Sequence, residues 1–179
     1  MTATTSEATS VVPDFGDESG GDRKIAFICS KGNLDMAYPA LIMANGALGE
    51  GIETHLFFTF WGMDMINKKT VDHLEFTMLG NTAMHMPGKS GHMWQGLGGM
   101  PGMTKYATKM MKEQIAGVDV PEVGEFLTML HDMGAQLWAC QMSVDMMGLS
   151  KDDMIDEVED IINVTTFMEL SEDAQIIFV

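Results

Sequence analysis

Two cysteines are the residues of this chain best suited to nucleophilic chemistry, and Cys140 has the more suggestive surroundings. It ends the apolar run 136–139, and Ser143 follows three positions later. The pattern predicts a short buried strand and then a short helix, which Ser143 caps and Gly148 closes. The unpaired N–H groups at a helix start favour a thiolate over a thiol. Cys140 is therefore a candidate for attacking sulfur or holding it as a persulfide, and a buried structural cysteine is the alternative.

Cys29 also ends an apolar run, residues 24–29, and is followed by Ser30, Lys31 and Gly32. We predict a buried strand and a tight turn here. Because chemistry in parallel α/β sheets gathers at the carboxyl ends of strands, Cys29 is hypothesised to be a resolving thiol or a second sulfur acceptor. Ser30 and Lys31 are expected to shape the pocket above Cys140, with Lys31 supplying positive charge. A phosphate site at this turn is disfavoured, since neither a P-loop nor a G-x-G-x-x-G pattern is present.

A Met/Gly/His-rich loop at about 80–103 carries the third group of reactive side chains. His85, Met86, His92 and Met93 combine imidazole with thioether ligands, which suits Cu(I). We favour the alternative that these methionines pack against a neighbouring subunit or a partner, so no metal and no cofactor is assigned. The histidines at 55, 73 and 131 lie in or beside apolar runs and are expected to be structural.

The elements that must position these residues alternate between strands and helices. Further strands are predicted at 53–60 and 174–179, and helices at 34–48, at 61–67 and on either side of Gly117, while 71–79 fits neither period. Apolar residues from 154 to 162 keep helical spacing behind a candidate capping box at 150–153, which predicts a last helix with an acidic solvated face. These elements predict a three-layer α/β/α, flavodoxin-like domain with a mainly parallel five-stranded sheet.

The composition restricts the classes of function. Residues 1–22 are predicted to be a disordered acidic tail, and 23–179 to form one domain. The chain has 26 acidic and 10 basic residues and a formal net charge of −16, which disfavours nucleic acid and anionic lipid as partners and fits a halophilic cytoplasm. We expect no membrane span, because no apolar run approaches the roughly 18 residues that one needs. Without a visible signal peptide, a cytoplasmic location is expected.

Several segments together resemble the DsrE/DsrF/DsrH-like family of small sulfur-handling proteins. They are residues 30–39 with 44–47, the Met/Gly-rich loop, and residues 139–143 with 146–148. The similarity covers about 24–179 and is closest to the branch whose members carry sulfurtransferase or peroxiredoxin-like names. The resemblance implies a flavodoxin-like fold, a homo-oligomer and a cysteine that accepts sulfane sulfur, which by position is Cys140.

The expected function is accordingly a sulfane-sulfur carrier or sulfurtransferase-like protein in a cytoplasmic sulfur relay. Ser143 would steady the Cys140 thiolate, and Trp138 and the Met-rich loop would cover the site. A sulfur-carrier or rhodanese-like protein is the expected partner. Two alternatives stay open at this point: a non-catalytic oligomeric interaction protein of the same fold, and a copper-binding protein that uses the Met/His loop.

Overall fold

A computed structural model describes residues 23–77, 96 and 99–179, in which strands and helices alternate. The strands are β1 (Lys24–Cys29), β2 (Glu53–Phe58), β3 (Gln136–Cys140), β4 (Val158–Ile162) and β5 (Gln175–Phe178). The helices include α1 (Leu34–Gly49), α2 (Met103–Ala116), α3 (Val123–Asp132), α4 (Gln141–Met147) and α5 (Val164–Leu170). Short 3-10 helices lie at Phe60–Met65, Val71–His73 and Lys151–Asp153. Among the helices of this described part, none is both long and apolar enough to span a bilayer.

The described strands form one five-stranded sheet in the order β4-β3-β2-β1-β5, and every neighbouring pair is parallel. The predicted α/β architecture with a parallel sheet is thus confirmed. The strand order differs from the 2-1-3-4-5 order of flavodoxin itself. Here the chain steps outward from β1 to β4 and then crosses to β5 on the other side of β1. One consequence is that β2 separates the two strands that end in cysteine, β1 and β3.

The two faces of the sheet bury different sets of side chains, because successive residues of a strand point to opposite sides. The face towards α1 and α3, called here the α1 face, holds the larger apolar cluster, with Phe27, Leu56, Phe58 and Leu137 from the strands. The opposite face, called the α5 face, holds a smaller cluster formed by Ala26, Phe57, Cys140, Ile162 and Phe167. The rings of Phe57 and Phe167 stack with their centroids 4.3 Å apart, which seats α5 on this face.

The prediction of a helix over 154–162 is wrong. Residues Val158–Ile162 form the edge strand β4, and the acidic residues Glu159 and Asp160 lie exposed along it rather than on a helix. The apolar spacing fitted a helix, but β-branched residues also suit a strand, and β3 offered a free edge to pair with. The predicted capping box at Ser150 and Asp153 is present, yet it closes only the 3-10 helix Lys151–Asp153.

The segment after β2 also differs from the prediction of a strand up to residue 60. The strand ends at Phe58, and a 3-10 helix begins at Phe60, whose φ of 47° lies in the left-handed region. Gly62 allows this segment to pack directly on β1, since a Cβ at that position would lie 2.0 Å from the Cys29 carbonyl oxygen. The short helix predicted for 61–67 is therefore found as a 3-10 helix that starts one residue earlier.

Two parts of the predicted domain organisation lie outside the described residues. They are the acidic tail, 1–22, and most of the Met/Gly/His-rich loop at 80–103. Both stay predictions from the sequence.

Candidate functional site

Cys140 is the last residue of β3 and directly precedes α4, so its predicted place between a strand and a helix is confirmed. Its side chain is only 1% exposed and belongs to the apolar cluster on the α5 face. The cysteine itself occupies the N-cap position of α4, with extended backbone angles. The prediction that Ser143 caps this helix is therefore wrong, because Ser143 is already the third helical residue.

Ser143 joins the two segments that surround the thiol. Its hydroxyl oxygen accepts a hydrogen bond from the backbone N–H of Phe60 at 2.8 Å and lies 3.2 Å from the hydroxyl oxygen of Thr59. Thr59 and Ser143 are both buried. A hydroxyl has one proton and two acceptor sites, so the N–H of Phe60 occupies one acceptor site of Ser143 and leaves its proton free.

The polar groups around Cys140 set the direction in which its pKa shifts. Burial on its own raises the pKa of the Cys140 thiol, but the nearby N–H and hydroxyl of Ser143, hydroxyl of Thr59 and N–H of Met142 lower it by more. The net result is a Cys140 pKa below its ordinary value. A thiolate held by neutral donors in a buried site is suited to nucleophilic attack on sulfur.

Thr59 is a site residue that the sequence analysis missed. It directly follows Phe58, which pairs with Ala139 on the neighbouring strand. A polar residue at the carboxyl end of the strand beside β3 was the available signal. It could be used only with the strand order in hand, because a neighbour of β3 cannot be identified without it.

The structure does not bring Cys29 to Cys140. Cys29 pairs with Phe58 and Phe58 with Ala139, so a complete strand lies between the two cysteines, and Cys29 packs on the α1 face. Two interstrand spacings amount to roughly 9–10 Å, whereas disulfides need Cα atoms within about 7 Å. Burial raises the pKa of Cys29 to about 12. These observations correct the hypothesis of a resolving thiol for Cys140.

Ser30 and Lys31 follow the end of β1, where the carbonyl oxygen of Cys29 accepts a hydrogen bond from the backbone N–H of Thr59. The backbone N–H and the hydroxyl of Ser30 both donate to the carbonyl oxygen of Val179, each at 2.9 Å, which fastens the end of β5 to β1. Lys31 is exposed, and the groups that lower the Cys140 pKa are neutral ones. Lys31 is not among the groups that lower the Cys140 pKa, and its expected role as a positive charge near the sulfur stays a prediction.

Trp138 lies two residues before Cys140 on β3 and is half-buried. Its indole N–H donates to Nδ1 of His55 at 3.3 Å, while Nε2 of His55 lies 2.8 Å from a carboxylate oxygen of Glu53. Since Nδ1 accepts, the ring proton is on Nε2 and is donated to Glu53, which is the main reason that the pKa of Glu53 is lowered. His55 is buried and structural, as predicted.

No group of three or more His, Cys, Asp or Glu side chains is placed to hold a metal within residues 23–77 and 99–179. The residues of the copper alternative, His85, Met86, His92 and Met93, lie outside the described part of the chain.

Comparison of the sequence with known proteins identifies a family. The sequence pattern of the DsrE/DsrF/DrsH-like family matches residues 21–179. The chain is 38% identical over 138 residues to the sulfur carrier protein DsrE2 of Allochromatium vinosum, covering 76% of this chain and 86% of that protein. It is 27% identical over 142 residues to the uncharacterized protein YrkE of Bacillus subtilis, covering 76% and 84%.

The fold is also similar to that of a solved structure. The protein of unknown function MTH1491 from Methanobacterium thermoautotrophicum superimposes with a TM-score of 0.53 at 9% sequence identity. The match covers 88% of this chain and all of the other. At this identity the likeness concerns the fold alone.

Proposed function

The chain belongs to the DsrE/DsrF/DrsH-like family, and from this we propose that it carries sulfane sulfur on Cys140 as a persulfide within a sulfur relay. The observation that carries the proposal is the set of donors around Cys140, which lowers its pKa although the side chain is buried. Similarity to a sulfur carrier protein, 38% identical, supports the same role.

The proposed step is attack of the Cys140 thiolate on the outer sulfur of a donor persulfide, R–S–SH. A new S–S bond forms at Cys140 while the S–S bond of the donor breaks, and the donor leaves as R–S⁻. The proton stays on the transferred sulfur, so Cys140 ends as a persulfide, and no external oxidant is required. Passing the sulfur to an acceptor thiolate is the same exchange in reverse.

The residues around Cys140 have separate parts in this proposal. The N–H groups of Met142 and Ser143 and the hydroxyls of Ser143 and Thr59 hold the negative charge on sulfur before the attack. They also receive it again when the sulfur moves on and the Cys140 thiolate is the leaving group. A good leaving thiol has a low pKa, so the same donors serve loading and unloading.

The proposal also covers the location, the assembly and the partner of the protein. We propose a cytoplasmic protein that assembles as a homo-oligomer and exchanges sulfur with a sulfur-carrier or rhodanese-like protein. The net charge of −16 supports a high-salt interior, in which the self-repulsion of the chain is screened.

Intact-protein mass spectrometry after mild polysulfide treatment tests the proposal. The unmodified chain, Cys140→Ser and Cys29→Ser are compared, with thiol labelling under denaturing conditions to verify that the cysteines are reduced. We expect a gain of one or more sulfur atoms in the unmodified chain and in Cys29→Ser, and none in Cys140→Ser. No gain on reduced protein, or a gain that survives Cys140→Ser, contradicts the proposal.

The alternative of a non-catalytic interaction protein of the same fold is favoured by one observation, the 1% exposure of Cys140. Native thiol labelling separates the two functions. If Cys140 reacts with a small alkylating agent in the folded protein faster than Cys29, the thiol is accessible on the time scale of exchange. Equal protection of both cysteines would support the interaction protein.

A further inference from the structure

Four large apolar side chains are exposed on the segments that hold Cys140, and we call them the rim: Phe60, Trp61, Met142 and Met146. Their exposures are 45%, 64%, 57% and 56%. Large apolar side chains are normally buried, and a group of exposed ones marks an interaction surface. The rim is distinct from the donors around the sulfur, which are polar and buried.

The rim residues lie on or next to the segments that form the site around Cys140. The backbone N–H of Phe60 donates to the Ser143 hydroxyl, and Trp61 is the next residue. Met142 is the second residue of α4, two positions after Cys140, and its backbone N–H is one of the groups that lower the Cys140 pKa. Met146 follows Met142 by four positions on α4 and therefore lies on the same side of that helix. A surface that contacts these side chains would lie over the segments that hold the thiol.

The charge around the rim is predominantly negative. Asp145 lies exposed on α4 between the two methionines and accepts a hydrogen bond from the Gln141 amide at 2.8 Å. Asp64 belongs to the same 3-10 helix as Phe60 and Trp61. The adjacent loop contributes one exposed lysine, Lys31. The lysines that form ion pairs in the described part of the chain do not pair with Asp145 or Asp64. Their pairs are Lys24–Glu53, Lys68–Asp156, Lys69–Asp153, Lys109–Glu113 and Lys112–Glu122.

We propose that the rim docks a protein that presents its reactive cysteine on an apolar segment flanked by lysine or arginine. The proposal rests on the proposed function and adds the partner chemistry. An apolar segment matches the four exposed side chains. Basic flanks match Asp145 and the net charge of −16, which attract such a partner and repel small anionic persulfides. Sulfur then reaches Cys140 faster from such a protein than from free polysulfide.

The exchange of sulfur with the docked partner follows the same chemical step as the exchange with a donor persulfide proposed above. The Cys140 thiolate bonds to the outer sulfur of the partner's cysteine persulfide, the S–S bond of the partner breaks, and the partner leaves as a cysteine thiolate. The proton of the persulfide stays with the transferred sulfur. Seating of apolar side chains around the two sulfurs removes water from their surroundings.

Two synthetic peptide persulfides provide the test, one with cysteine between leucines and flanking lysines, and one with glutamates in place of the lysines. Loading of Cys140 is followed by quenched mass spectrometry. Since electrostatic steering changes association rates by tenfold or more, we expect the lysine peptide to load about tenfold faster at low salt. The advantage should shrink as KCl is added, because salt screens exposed charges.

Variants then locate the contact. In Trp61→Ser and Met146→Ser, the ratio of the lysine-peptide rate to the polysulfide rate should fall about fivefold or more, as befits loss of a well-buried contact residue. Met133→Ser is the matched control, since Met133 is exposed but lies at the opposite, amino-terminal end of β3. Its ratio should equal that of the unmodified chain.

The docking proposal is overturned if both peptides load at the same rate, or if the rim variants leave the ratio unchanged. Failure of the carrier function itself gives a different result, in which neither the peptides nor polysulfide add sulfur to Cys140 in the unmodified chain.

Discussion

The hydroxyl oxygen of Ser143 lies 2.8 Å from the backbone nitrogen of Phe60, although 83 residues separate the two in sequence. This hydrogen bond joins α4, which follows the cysteine, to the 3-10 helix that follows the neighbouring strand. It satisfies a backbone N–H in a left-handed segment and at the same time orients the Ser143 hydroxyl. Formation of the site and local packing therefore depend on the same side chain.

Replacing Ser143 by alanine should impair both roles. Loss of the hydroxyl removes a donor to Cys140, so the thiol pKa should rise and polysulfide loading at neutral pH should slow. Leaving the Phe60 N–H without a partner should also lower the free energy of unfolding by about 1–3 kcal/mol. Loading kinetics and urea denaturation measure the two effects. Ser150→Ala is the matched control, because Ser150 belongs to the exposed capping box; equal loading by both variants would contradict the assigned role.

The titration of Cys140 should have its midpoint below the ordinary value of 9.0. The folded state then binds fewer protons than the unfolded state between the two pKa values, so stability rises with pH across that window. This contribution is complete above about pH 9 and is lost as the pH falls through the folded pKa. The ultraviolet absorbance of the thiolate, taken as the difference between the unmodified chain and Cys140→Ser, measures the midpoint. A midpoint at or above 9.0 would show that the donors do not outweigh burial.

Cys29 should change the pH dependence of stability in the opposite direction. Its pKa is raised from 9.0 to about 12 by burial, so above pH 9 the unfolded state loses a proton that the folded state keeps. Stability should fall with pH by about 1.4 kcal/mol per pH unit from this residue alone until the folded thiol titrates. Urea denaturation at several alkaline pH values should give a shallower decline for Cys29→Ala. Only the slopes are compared, since the substitution also changes packing, and identical slopes would refute the assignment.

Gly62 and Gly46 form a matched pair for testing how the segment after β2 packs. An alanine Cβ at Gly62 would lie 2.0 Å from the Cys29 carbonyl oxygen, and Gly62→Ala should cost at least about 2 kcal/mol. Gly46 lies inside α1 with nothing within 4 Å of the added atom, and Gly46→Ala should stabilise by about 0.5–1 kcal/mol. Urea denaturation gives both values. Tolerance of alanine at Gly62 would mean that the segment can move away from β1.

Much of the fold could be predicted because its signals are local. The unit β1-α1-β2 follows from two apolar runs around a periodic stretch, and the observed α1, Leu34–Gly49, is one residue longer than expected. The prediction of a helix over 154–162 was wrong for a physical reason. Its apolar spacing fits a helix while its β-branched residues fit a strand, and the choice was made by the unpaired edge of β3, which is not a local property.

The sequence by itself determined that Cys140 stands between a strand and a helix, because strand and helix periodicity, and the glycine that ends α4, are encoded within a few residues. Ser143 could also be expected beside the sulfur, but only the tertiary structure decided which groups from other segments come near it. Thr59 comes close to the sulfur and Phe60 to Ser143 because β2 pairs with β3, whereas Cys29 is kept away because β2 lies between. Strand order depends on the packing of the whole sheet, so the contribution of Thr59 to lowering the Cys140 pKa became apparent only once the chain was folded.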